Sequence, residues 1–95
     1  EFGASYSVVI TSDLPSIENG ILTIRVGYSG CNAGHSFEFK NRITNSLSEI
    51  WLLKLTNDQL CDAYFVEDLA FVLSESILNS DEIVLATPND ERISL

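Results

Sequence analysis

Methionine is absent from this chain and cations are scarce: five Lys and Arg stand against fourteen Asp and Glu, for a formal net charge of -9. A protein that holds nucleic acid through its phosphates needs a cationic face to displace counterions, so nucleic acid is excluded as a partner at this stage. No apolar run approaches the roughly 20 residues that span a bilayer, and no basic amphipathic stretch would lie on a membrane surface, so no membrane insertion is expected. The phosphate-cradling G-x-G-x-x-G and P-loop patterns are missing, as are G-x-S-x-G, a C-x-x-C pair and an Asn-x-Ser/Thr glycosylation site. What is present is 95 residues, 45% hydrophobic and only 20% charged, which describes one small folded domain over 1–95 and not a disordered acidic chain.

Glu1-Phe2 is the dipeptide that an EcoRI cloning junction encodes, and no charged-then-apolar leader follows it. The expectation is that residues 1–4 are vector-derived or disordered, that a signal peptide has been removed, and that the first element begins near Ser5.

The dominant hydrophobic period is two. Leu22, Ile24, Val26 and Tyr28 alternate with Thr23, Arg25 and Gly27, the pattern of a half-buried strand. Phe37 and Phe39 alternate with Ser36, Glu38 and Lys40, and Tyr6, Val8 and Ile10 form a similar set. Glu49 to Leu55 and Glu82 to Ala86 are denser apolar runs of strand length, and Arg92 to Leu95 follows a Pro88-Asn89-Asp90 turn signal. Turn chemistry separates these runs at Leu14-Pro15-Ser16, Glu18-Asn19-Gly20, Ser29-Gly30 and Thr56-Asn57-Asp58. The expected fold is all-β, a small two-layer antiparallel Ig-like sandwich. Its expected core is Leu22, Ile24, Val26, Phe37, Phe39, Trp51, Leu53 and Phe71.

One segment fits two periods. Across Asp62 to Ser80, Phe65, Leu69, Val72, Leu73 and Ile77 fall on one face of a helix, while the aromatic and β-branched residues Tyr64, Phe65, Val66, Phe71 and Val72 favour strands. The strand reading places Cys61 to Val66 and Leu69 to Leu73 as two strands broken at Glu67-Asp68, with a short helix near 74–80.

Chemistry centres on Cys31, Cys61 and the single histidine, His35. Two cysteines in a small chain form a disulfide in an oxidising compartment, sit apart as buried thiols, or ligate a metal. A zinc site would draw on Cys31, His35, Cys61 and a carboxylate such as Asp58 or Asp62, an uncommon donor set, so no metal and no cofactor is expected. Cys31 as nucleophile with His35 as base is a further reading. The parity His35 shares with Phe37 and Phe39 instead makes it a structural residue at the core edge, its ring nitrogens bonded to backbone, or at most a weak metal candidate. The pairs Glu67-Asp68, Asp81-Glu82 and Asp90-Glu91 fall at expected strand ends, where charge blunts edges and maintains solubility. Asn57-Asp58 with Asp62 is the nearest approach to a calcium loop.

Ser29-Gly30-Cys31-x-x-x-His35-x-Phe37, preceded by Leu22 to Tyr28 and followed by Leu53-x-Leu55, Cys61-Asp62 and Leu69-x-Phe71-x-Leu73, resembles a family of small bacterial secreted or lipoprotein β-domains of uncharacterised function. The likeness covers about residues 20 to 75. The family pattern has two glycines before its first cysteine, two residues between cysteine and histidine, and a longer Gly-containing turn where this chain has Thr56 to Leu60. The resemblance implies an extracytoplasmic, periplasmic, cell-surface or secreted location, with a lipid anchor in the precursor as one form. It also implies a paired Cys31 and Cys61, and strands over 61–73. The functional expectation is a non-catalytic binding or structural domain, not an enzyme, facing a protein or cell-envelope partner. The alternative is an inhibitor of a secreted hydrolase, which would present an apolar loop tip.

Overall fold

The computed structural model describes residues 1–95 as eight strands and one turn of helix. In chain order these are β1 (Ser7–Val9), β2 (Ser16–Glu18), β3 (Ile21–Gly30), β4 (Phe37–Thr44), β5 (Leu47–Lys54), β6 (Ala63–Val72), α1 (Glu75–Leu78), β7 (Glu82–Ala86) and β8 (Arg92–Ser94). They form two sheets, and the fold is all-β.

β3 organises the first sheet. Its inward residues Leu22, Ile24, Val26 and Tyr28 are all buried, as an uninterrupted alternation of large apolar side chains requires. One edge of β3 pairs antiparallel with β2 at residues 21–23 and with β1 at 25–27, so the two short strands share one edge end to end. The other edge pairs with β6 over its whole length, Ile21 opposite Val72 through to Gly30 opposite Ala63. The second sheet runs β4-β5-β7-β8 and is mixed, because β5 and β7 lie parallel. Parallel neighbours need a crossover. Here the chain makes it by leaving for the first sheet as β6 and returning through α1, whose Ser74 cap accepts the Ile77 backbone N–H.

Two tight hairpins set register. Asn19 and Gly20 both take positive φ, 53° and 76°, between Glu18 and its partner Ile21; Asn45 and Ser46 do the same at 49° and 68° between Thr44 and Leu47. Both positions in such a two-residue loop need left-handed backbone, which Asn and Gly adopt most readily. The core joins the sheets through Leu22, Ile24, Val26 and Tyr28 on one side and Ile50, Leu52 and Leu85 on the other. The Tyr6 hydroxyl crosses between them to donate to the Leu52 carbonyl at 2.6 Å.

Several expectations are corrected. Ser16–Glu18 is a strand and not only turn residues, and Ser29-Gly30 is the end of β3 and not a turn. Ile10 lies beyond β1 and is exposed. β6 begins at Ala63 and is unbroken at Glu67-Asp68, because Asp68 faces out opposite Arg25 and Glu67 reaches the Tyr28 hydroxyl. In β5 the buried parity is Ser48, Ile50, Leu52 and Lys54, leaving Trp51 and Leu53 half-exposed on the other face. Trp51 carries the Arg42 guanidinium 5.4 Å from its ring centre. Phe37, Phe39 and Phe71 pack at the core margin, half-buried, with the Phe39 and Phe71 rings tilted against each other across the sheets at a centroid distance of 5.4 Å. The chain also engages the fold before Ser5: Gly3 bridges Lys54, with Lys54 N–H donating to Phe2 and Ala4 N–H donating to Lys54.

Truncating Leu52 to Ala should cost about 2–5 kcal/mol through the cavity it leaves, whereas Trp51→Ala should cost under about 2 kcal/mol. Urea unfolding of both variants checks this, and equal losses would reverse the assigned parity.

Candidate functional site

Local chemistry concentrates where β3 ends. Cys31 and Cys61 follow and precede the last pair of the β3–β6 ladder, with Cα atoms 4.8 Å apart, and they are joined as a disulfide. Closing a separation of 30 residues removes about 3–4 kcal/mol of denatured-state entropy in the chain-entropy model. Neither sulfur is free, so Cys31 is not a thiolate nucleophile. The zinc set of Cys31, His35 and Cys61 with Asp58 or Asp62 is not assembled either, because its two sulfurs bond each other.

His35 is buried, with its ring stacked on Tyr28 at a 4.2 Å centroid distance. Its partner is not backbone. Nε2 lies 3.2 Å from Gln59 Oε1, the same oxygen that accepts the Cys31 N–H at 2.6 Å, while Nδ1 is buried without a partner. Because an amide oxygen only accepts, Nε2 is the donor in this contact. The Tyr28 hydroxyl accepts the Gly34 and His35 N–H groups at 3.1 and 3.3 Å and donates to Glu67. Burial, and next the Glu67 carboxylate, push the Tyr28 phenol upward from its ordinary value, so it stays a donor. Lys54 is 2% exposed; its ammonium sits 5.3 Å from the Tyr28 ring centre and donates to the Thr56 carbonyl at 2.9 Å. Tyr28, His35, Gln59, Glu67 and Lys54 therefore pin both loops, 31–36 and 55–62, to the end of the sandwich.

Beside this cluster is a cleft of about 320 Å³ lined by Ser5, Ser7, Gly27, Ser29, Asp58 and Tyr64 among others. Gly27 leaves the space that Tyr64 occupies there: a Cβ would displace the Tyr64 hydroxyl, which reaches on to Ser7 Oγ at 3.4 Å. Asp58 accepts the Ser5 N–H at 2.9 Å and the Ser5 hydroxyl at 3.2 Å. The Ser5 backbone bond is the main cause holding its carboxyl below the usual range, which makes Asp58 a weak base toward Ser5.

Comparison with protein-family models, with curated proteins and with solved structures finds no match. The Ser29-to-Phe37 likeness thus rests on its residues alone.

Gln59, Glu67, Lys54 and Tyr64 were not singled out as site residues from sequence. The signal that points to two of them is a pair of glycines inside β3, since Gly in a strand marks close approach. At Gly30 a Cβ would lie 2.7 Å from Gln59 Oε1 and 2.8 Å from His35 Cε1; at Gly27 the intruder is Tyr64.

Asp58 and Asp68 both sit below their ordinary carboxyl value, Asp68 chiefly through the hydrogen bonds from Arg25. Folded values below the unfolded one, about 4, mean stability that is present above that pH and lost as pH falls toward the folded values. An Asp58→Asn, Asp68→Asn double variant should show a shallower fall in thermal midpoint between about pH 4 and pH 2. An unchanged acid limb by circular dichroism would contradict the assignment.

Proposed function

We propose that this chain is an extracytoplasmic, non-catalytic binding domain, secreted or lipid-anchored in a bacterial envelope, that engages a cationic partner. The observation that carries the reading is the disposition of charge. Arg25 is paired with Asp68 at 2.7 Å, Lys40 with Glu38 at 2.5 Å, and Arg42 and Arg92 with the single carboxylate of Glu49. The fifth cation, Lys54, is buried. Every positive charge on the side chains is engaged, and Asp13, Glu18, Asp62, Asp81, Glu82 and Asp90 face solvent without an ion pair. Such a field raises association rates with basic surfaces and repels acidic ones.

The disulfide is consistent with an oxidising compartment. No helix is long and apolar enough to cross a membrane. Against catalysis stands the chemistry of the cleft: its hydroxyl-carboxylate contact, Ser5 with Asp58, has no histidine and only a weak base.

Inhibition of a secreted hydrolase is the second reading, and Leu60 favours it. This side chain is fully exposed, and its neighbours on both sides are fixed, Gln59 by His35 and the Cys31 N–H, Cys61 by the disulfide. A rigid loop with an apolar tip suits insertion into a pocket at low entropic cost.

Trapping thiols with a maleimide polymer in intact cells should leave the chain unshifted on a denaturing gel unless it is first reduced. A shift of two polymers without reductant would place it in a reducing compartment and overturn the location. For the second reading, titration against trypsin-, chymotrypsin-, elastase- and subtilisin-type enzymes should reveal inhibition that Leu60→Asp weakens by tenfold or more. Activity unaffected by an excess of the wild-type chain would remove that reading.

A further inference from the structure

The longest strand edge in the molecule has no partner. β6 gives one edge to β3 across ten residues and none to any other strand. Outside that ladder, no backbone N–H or C=O of residues 63–72 takes part in any hydrogen bond. In an antiparallel pair, alternate residues aim their backbone groups away from the partner, so a row of donors and acceptors about 30 Å long, at 3.4 Å per residue, opens to solvent.

Natural sheets protect such edges with lysine, proline, bulges or short strands. β6 has none of these. The other long edge, β4, carries Lys40 and Arg42. The outer face of β6 exposes apolar side chains on either side of the Arg25–Asp68 pair, with Tyr64 58%, Val66 54% and Val72 83% exposed, and the cleft beside Tyr64 continues it.

What the edge would accept is decided by charge. Asp68 is neutralised by Arg25, but Glu67, at the middle of the strand on the core-facing parity, has only the Tyr28 hydroxyl and the distant Gly34 N–H as hydrogen-bond partners. Pairing β6 with a second copy about the strand centre sets Glu67 against Glu67, or Asp68 against Asp68, and joins two surfaces of charge -9. Like charges directly opposite are destabilising. An inward-pointing charge of this kind deters self-pairing and welcomes a strand that brings a cation to the same level.

We propose that β6 is a docking edge for an extended basic segment of another protein, which adds to the first sheet as a fifth antiparallel strand. Backbone bonds supply the affinity. Valine-like side chains lie beside Val66 and Val72, and a Lys or Arg opposite Glu67 sets the register. The proposal rests on the reading of the chain as a binding domain for a cationic partner and names the surface; the thiol-trapping result above does not depend on it.

The probe is an acetylated, amidated octapeptide alternating Val and Lys, followed by fluorescence anisotropy and by amide hydrogen exchange of the oxidised full chain. Binding should weaken as salt rises, and the bound peptide should slow exchange within 63–72. A Val-Glu peptide, and a Val-Lys peptide N-methylated at alternate residues, should each bind at least tenfold more weakly. Val66→Lys, a change on the exposed face, should leave the far-ultraviolet spectrum and thermal midpoint unaltered while weakening the Val-Lys peptide roughly two- to fivefold per opposed pair. Equal binding of the N-methylated peptide, protection confined to 37–44, or a dimer in sedimentation whose 63–72 amides are already protected would each overturn the proposal.

Discussion

The ten-residue pairing of β3 with β6 is the constraint on which the remainder of the molecule depends. It carries the inward row Leu22, Ile24, Val26 and Tyr28 against the second sheet and places Arg25 against Asp68 on the outer surface. It also brings Cys31 and Cys61 to within bonding distance at its end. Because side chains alternate along a strand, a slip of one residue would invert every one of these relations. Buried apolar residues on one side and an ion pair on the other therefore agree on a single register, and the disulfide fixes it covalently.

Polar burial at the closed end follows from the same pairing. Gly30 leaves room for His35 and Gln59, and Tyr28 supplies a ring on which His35 stacks and a hydroxyl for Glu67, Gly34 and His35. A buried network of this kind is stabilising only when its members are satisfied. Here one atom, His35 Nδ1, is left over, and a buried polar atom without a partner offsets part of what the network contributes.

Much of the architecture was legible because β3 reads without ambiguity and because turn residues bound the other runs. What misled was local and has physical causes. Across the apolar run 49–55, Trp51, Leu53 and Leu55 outweigh Ile50, Leu52 and Lys54 in apolar content, so the pattern alone selects the wrong face of β5; Lys54 is buried because its stem packs inside while its ammonium finds the Thr56 carbonyl and the Tyr28 ring. In β6, Glu67-Asp68 looks like a break because neither partner, Tyr28 nor Arg25, is near in sequence. β2 is invisible because it is only three residues long and directly follows a proline. The disulfide partners were identifiable; the side chains that hold the loops around them were not, since Gln59 and Glu67 belong to residue types that usually face solvent.

The route from β5 to β7 constrains the order in which the chain can assemble. The β2–β3 and β4–β5 hairpins need only their own two-residue turns and can close on the microsecond timescale of isolated hairpins. The parallel contact of β5 with β7 spans the whole of β6, so it gains nothing until the chain has crossed to the first sheet and returned. Sequence-distant pairing of this sort slows folding. The segment enclosed by the two cysteines contains the β4–β5 hairpin entire, so that hairpin shortens the effective span between the thiols before they are oxidised. The local element acts as a spacer that prepares the remote one.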